Sequence, residues 1–296
     1  MKKKKSRIGM LLLLAVCIIS LTFLTIFGID TLVRNTTSKG IFTTFMINNP
    51  QQPQQEDTDA LLPLTKDAGR EYIDSTLFLG DSNTVRFMKY NDGDDLPFTT
   101  TNNTIAVVGM GVQAIDTLNC EQLSTGTYTM VEAVSILQPQ RIIITFGTNN
   151  LDGQTEDPTS FISTYQTQLL RLQEAYPSVD IIVNTIPPIG SHCAYSKLHK
   201  EQISLYNNAI QEMCQENGWK FLNSYEALAD VDDGYARVSY TIDDGVHLSQ
   251  TGLMALFQYI RTHAYITEDD RSQPLSEIPD IIGPLTNIYD TNPLSN

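Results

Sequence analysis

From about residue 71 the chain alternates between short apolar runs and longer stretches in which apolar residues recur every three or four positions. The runs are TLFLG (76–80), TIAVV (104–108), RIIITF (141–146), DIIVNTI (180–186) and WKFL (219–222). Most are rich in Ile, Val or Phe, and unbroken runs of this length predict strands buried on both faces. Between them lie helical stripes. Phe161, Tyr165, Leu169, Leu172 and Tyr176 share one face over 158–176, with Asp157 and Pro158 as cap and first-turn residues. Ile203, Tyr206, Ile210 and Met213 do the same within 197–217, and Gly218 is the stop signal. A third stripe, Leu253, Leu256, Phe257 and Ile260, follows residue 247, and a further helix is expected near 127–137, ahead of Pro139. Alternating strands and helices predict an α/β fold, with a central parallel sheet covered by helices on both faces.

The flanking segments read differently. Residues 8–29 carry no charge, and 22 helical residues span ~33 Å against a hydrocarbon core of ~30 Å. Lys2, Lys3, Lys4, Lys5 and Arg7 precede the run and should remain cytoplasmic, so the bulk of the chain is expected outside. The run continues well past Cys17, and no convincing small-x-small cleavage site follows it, so it is read as an uncleaved transmembrane anchor in the lipid bilayer. Residues 30–70, centred on NNPQQPQQEDTD, lack apolar periodicity and read as a flexible stalk. Residues 266–296 read as an extended C-terminal tail, which leaves 71–265 as the globular domain.

The net charge is −15, although five of the 19 basic residues crowd the extreme N-terminus. The rest is therefore more acidic than the average, which argues against a nucleic-acid partner. Cys120, Cys193 and Cys214 beyond the anchor are too few for a disulfide framework, and at most one bridge is available to them. No C-x-x-C pair or His cluster suggests a metal, and no cofactor is expected.

Three motifs carry candidate chemistry. In LFLGDSNT (77–84), Ser82 directly follows a predicted strand, which places its hydroxyl at the carboxyl end of the sheet, where open α/β folds bind ligands. In ITFGTNN (144–150), Asn149 leaves another strand and offers an amide donor, with Asn150 as the alternative. In DDGVHLS (243–249), Asp244 stands three residues before His247, close enough for its carboxylate to accept from the imidazole Nδ1–H; Asp243 competes for that place. Each motif alone is ordinary turn or cap chemistry. Together they provide the nucleophile, the oxyanion donor, the base and the group that orients the base. A fourth, weaker signal is VVGMGVQA (107–114), a strand exit with two glycines.

Gly-Asp-Ser, Gly-x-Gly, Gly-Thr-Asn and Asp-Gly-Val-His, in that order, resemble the SGNH hydrolase superfamily, also called GDSL esterases and lipases, over about 71–265. The resemblance implies a flavodoxin-like three-layer α/β/α fold and acyl-ester chemistry. It makes Ser82 the nucleophile, His247 the base and Asp244 the orienting acid. The oxyanion hole would be built from the Ser82 amide, a second-motif amide and the Asn149 side chain. The chain departs from the family in having Asn150 where Asp is frequent. Its second-motif glycine also falls early, so Gly111 is taken as the donor, with Gly109 and Val112 as alternatives. The implied substrate is an acylated carbohydrate or small ester, met outside the cytoplasm. The alternatives are an O-acyltransferase of the same fold and a non-catalytic glycan-binding module.

Overall fold

A computed structural model describes residues 59–153, 157–273, 275 and 277–284. The expected anchor at 8–29, Cys17 and the stalk as far as residue 58 lie outside the described residues. Among the described residues, no helix is long and apolar enough to cross a membrane.

In chain order the elements are α1 (Gly69–Asp74), β1 (Thr76–Gly80), α2 (Ser82–Val85), β2 (Thr104–Ala106), β3 (Glu121–Leu123), β4 (Gly126–Tyr128), α3 (Met130–Leu137), β5 (Arg141–Thr145), α4 (Thr159–Ala175), β6 (Asp180–Asn184), α5 (Lys200–Asn217), β7 (Lys220–Leu222), α6 (Tyr225–Leu228), α7 (Gln250–Thr262) and β8 (Ile281–Pro284). The five strands expected from the apolar runs form one sheet in the order β2-β1-β5-β6-β7, and every neighbouring pair is parallel. Counting only these five strands, the order is 2-1-3-4-5, the flavodoxin arrangement, whose topological switch point lies beside the first strand.

Because strand side chains alternate between faces, one strand feeds two cores. Leu77, Leu79, Ile142, Ile144, Ile181 and Val183 face one core, which is closed by residues of α3, α4 and α5 such as Met130, Tyr165, Leu169 and Ile210. Phe78, Ile143, Ile182 and Leu222 face the other, closed by Ile73 of α1, Leu228 of α6 and Leu253, Phe257 and Ile260 of α7. The result is three layers. Phe257 is the aromatic hub of the second core, stacked on Phe98 at 4.7 Å and edge-on to Phe87 at 5.0 Å.

Three expectations are corrected. Residues 59–70, expected within the flexible stalk, belong to the fold: Ala60 and Leu62 are buried, and Leu61 pairs in parallel with Phe221. The Leu62 N–H donates to Phe221 O at 3.0 Å and the Phe221 N–H donates to Ala60 O at 2.8 Å, so main-chain bonding holds a segment that has no apolar period. Part of the tail is ordered for the same reason. Within it, β8 pairs antiparallel with β3, which pairs in turn with β4, making a second, three-stranded sheet. Finally, the front of the helix expected near 127–137 is spent on β4; α3 begins at Met130 behind a reciprocal Thr129–Glu132 cap. Cys120, Cys193 and Cys214 are all unbridged.

Glu121 of β3 is buried, and neither carboxylate oxygen has a hydrogen-bond partner. Burial pushes its pKa up to about 8. An unfolded Glu ionises near ~4.3, so the folded state holds the proton over the interval between the two values. Stability therefore declines as pH rises from ~4 towards about 8 and levels off above it. Glu121→Gln should remove this dependence. Thermal melting at pH 5 and pH 8 should show a smaller loss for the variant than for the unsubstituted protein; equal losses would place the pH sensitivity elsewhere.

Candidate active site

The switch point gathers three strand exits. β1 ends at Gly80, and the chain turns at once into α2. The turn is tight: a Cβ on Gly80 would stand 2.8 Å from Thr145 O of β5. Asp81 caps α2 by accepting the Asn83 N–H at 3.0 Å, which puts Ser82 at the first helical position. The Ser82 N–H is thus one of the first-turn amides that a helix leaves without an internal acceptor.

The His247 segment folds back on itself. The Ile242 N–H donates to His247 O, the Gly245 N–H donates to Ile242 O, and Thr241 pairs with Leu248. Gly245 sits at φ +69°, and a Cβ there would stand 2.6 Å from Cys193 Cα, so both conformation and space demand glycine. Within this turn Asp244 has two tasks. Its Oδ1 accepts the Val246 and His247 N–H groups at 2.8 and 2.9 Å, and its Oδ2 lies 2.6 Å from His247 Nδ1. Burial raises the Asp244 pKa, but the hydrogen bonds from the His247 ring, the His247 amide and the Val246 amide outweigh it and hold the carboxyl below its ordinary range. An ionised carboxylate only accepts, so Nδ1 carries the proton and Nε2 presents a lone pair. Nε2 stands 2.8 Å from Ser82 Oγ. His247 is 8% exposed, whereas Asp243 is exposed and Asp244 is the acid that meets the ring.

Asn149 lies in a 3₁₀ turn, Thr148–Asn150, after β5. Its Nδ2 donates to Asp81 Oδ2 and to Met110 O, both at 3.1 Å, so both amide hydrogens are engaged. Asn150 Oδ1 accepts the Val112 N–H at 3.1 Å, and Asn150 Nδ2 donates to Gln113 Oε1 at 3.0 Å. That bond occupies the Val112 amide; of the three second-motif amides considered from the sequence, those of Gly109 and Gly111 remain. Gly111 directly follows the carbonyl that holds Asn149.

Sequence reasoning missed Asn83, which binds across the His247 segment. Its Oδ1 accepts the Leu248 N–H at 2.9 Å and its Nδ2 donates to Val246 O at 3.5 Å, so it grips the backbone on both sides of His247. Arg86 adds a third tie, from Nε to Leu248 O at 2.9 Å. The available signal was only a polar residue after the Ser; nothing local indicated a partner 165 residues away. The segment 191–200, considered from sequence as either cleft wall or solvated loop, is anchored to the 242–245 turn. The Gly190 N–H donates to Gly245 O at 2.7 Å, and His192 Nε2 lies 3.2 Å from Ile242 O. Tyr195 on this segment is exposed.

Replacing Asn83 by Ala strands the buried Leu248 N–H, a loss of ~1–3 kcal/mol, and frees the His247 backbone to shift. Small displacements of a reacting group cost ~10²-fold in rate. Asn83→Ala should therefore lower turnover of aryl acetates by about ten- to a hundredfold, while circular dichroism still reports a folded protein. Undiminished turnover would show that Asn83 does not position the histidine.

Among solved structures, the chain is similar to a “putative platelet activating factor” from Streptococcus pneumonia, with 18% identity over 82% of this chain and 99% of that one and a TM-score of 0.50. It is also similar to a GDSL-like lipase from Bacteroides thetaiotaomicron (16% identity, 66% and 89% coverage, TM-score 0.47) and to a carbohydrate esterase family 3 protein from Talaromyces cellulolyticus (18%, 63% and 95%, TM-score 0.44). At 18% identity the first of these likenesses bears on the fold alone. No curated protein sequence matches the chain. The model of the GDSL-like lipase/acylhydrolase family matches residues 78–254, a span that starts within β1 and contains Ser82, Asn149 and the Asp244–His247 turn. On that match, over more than half its length, the chain belongs to the GDSL-like lipase/acylhydrolase family.

Proposed function

We propose that the chain is a serine esterase that works outside the cytoplasm and hydrolyses small acyl esters, with O-acetyl groups on envelope glycans as its substrate class. The observation that carries the chemistry is the hydrogen-bonded series Ser82 Oγ, His247 Nε2, His247 Nδ1, Asp244 Oδ2, with separations of 2.8 and 2.6 Å across its two contacts. Membership of an acylhydrolase family supports the same reaction class.

In the proposed reaction His247 Nε2 removes the proton from Ser82 Oγ as that oxygen attacks the ester carbonyl. Asp244 holds the ring in the tautomer that can accept and stabilises the imidazolium that forms. The carbonyl oxygen becomes an oxyanion served by the Ser82 and Gly111 amides and by Asn149. When the intermediate collapses, the alcohol leaves with the proton held on Nε2. Water, activated by the same nitrogen, then releases the acid and restores the serine. Ser82→Ala should abolish turnover across an ester panel from acetyl to long acyl, and should also abolish labelling by a fluorophosphonate probe. Persistent labelling would move the nucleophile elsewhere. Asp244→Asn should lose most of the rate and Asp243→Asn little, because only Asp244 reaches Nδ1; the reverse order would sink the assignment of the orienting acid.

The location rests on the sequence: a basic N-terminus, an uncharged run of bilayer length at 8–29 and a polar segment ahead of Asp59. A domain held there meets wall and capsular glycans, and the substrate class is assigned on that basis. Protease added to intact cells should release a soluble, active domain cut upstream of Asp59. A domain protected until the cells are lysed would refute the location and leave the esterase chemistry standing.

A further inference from the structure

Asp81 is the most deeply buried acid beside the reacting groups, and the proposed mechanism leaves it without a task. It is 1% exposed, and two donors converge on it: the Asn83 N–H on Oδ1 at 3.0 Å and Asn149 Nδ2 on Oδ2 at 3.1 Å. The second Asn149 hydrogen goes to Met110 O, also at 3.1 Å. A carbonyl can only accept, so Met110 fixes which end of the Asn149 amide is nitrogen, and Asp81 must then accept as well. The arrangement is complete only with Asp81 as a carboxylate.

Resting on the esterase reading above, we propose that Asp81 is a positioning residue for the reaction: its carboxylate holds the Asn149 amide by one hydrogen so that the other can pass from the Met110 carbonyl to the oxyanion. The two acceptors sit at equal distance but are unequal in strength. A hydrogen bond to a charged acceptor is roughly twice as strong as one between neutral groups. A developing oxyanion therefore displaces the neutral carbonyl and leaves the carboxylate in place. Asn149 itself is exposed, so a substrate oxygen can reach it.

Ionising this carboxylate is costly. Burial pushes its pKa up to about 7, against the hydrogen bonds from the Asn83 amide and Asn149. The titratable group that faces it from α4 is Tyr165, whose own burial keeps the phenol neutral; on α2 the neighbour is Ser82 with its His247 contact. The residues that donate to it, Asn83 and Asn149, carry no charge. Protonation below about 7 removes an acceptor, so the competent form is the deprotonated one and the rate gains from rising pH.

Asp81→Asn separates the two roles of this side chain. Asn is as good an N-cap as Asp, so the bond from the Asn83 N–H and the start of α2 survive. The new NH₂ then faces Asn149 Nδ2, donor against donor. On an aryl acetate, Asp81→Asn should lower kcat by about tenfold or more with KM changed by less than about twofold, since the interaction serves the transition state. The acid limb of its pH profile should be shallower than that of the unsubstituted protein, which loses the Asp81 carboxylate as well. In an Asn149→Ala background, Asp81→Asn should cost nothing further, as two residues acting through one contact are not additive. Unchanged kcat in the single variant, or the same penalty in both backgrounds, overturns the proposal. If Asp81→Asn fails to fold, Asp81→Ser retains a capping oxygen, does not reach Asn149 and is read in the same way. Fluorophosphonate labelling of the unsubstituted protein keeps the two ideas apart. Failure to label and turn over sinks the esterase reading, whereas full labelling with an indifferent Asp81 sinks only this one.

Discussion

Ser82 and His247 stand 165 residues apart in the chain and 2.8 Å apart in space, and the architecture of the site follows from keeping them there. The parallel sheet brings the exit of β1 to its switch point, but a sheet alone positions side chains only coarsely. The finer placement comes from α2. One turn of helix carries the serine, the asparagine that grips the backbone on either side of the histidine and, just beyond it, the arginine that ties down the next carbonyl. Ser82 and its clamp Asn83 are neighbours in sequence, so any movement of α2 carries the His247 segment with it.

A second economy lies in the use of carboxylates. Asp244 folds the 242–247 turn with one oxygen and meets the imidazole with the other. Asp81 caps the helix with one oxygen and holds Asn149 with the other. Both acids therefore couple local backbone structure to a side chain of the site. Their environments differ. Asp244 receives enough donors to remain acidic, whereas full burial dominates at Asp81.

The sheet strands were legible because strands covered on both faces must be apolar throughout, and TLFLG or RIIITF leaves little else to be. The long helices were legible because one face of each meets the core, as Phe161, Tyr165, Leu169 and Leu172 do. The three-residue strands EQL and GTY and the strand IIGP are held by main-chain bonds to one another and carry no period that a sequence reading could detect. The residues of the Ser–His–Asp series could be nominated because each sits in a short motif. Asn83, Asp81 and Asn150 could not be assigned distant partners, since those bonds run to loops between 38 and 165 residues away and depend on strand order, which local pattern does not encode.

The segment Ala60–Leu62 has a consequence beyond the boundary it moves. It lies along the outer rim of β7, exchanging main-chain hydrogen bonds with Phe221 on the side away from β6. An uncovered strand rim offers unpaired N–H and C=O groups to any other extended chain, and proteins commonly blunt such rims to avoid sticking to copies of themselves. Here the cover comes from residues that precede the matched family region at 78–254. A polypeptide cut to those limits would keep Ser82, Asn149 and His247 but would begin inside β1, stop inside α7 and leave the β7 rim bare. It would also lose Ile73, Phe257 and Ile260 from the second core, so a bare rim and an opened core would act together to promote self-association.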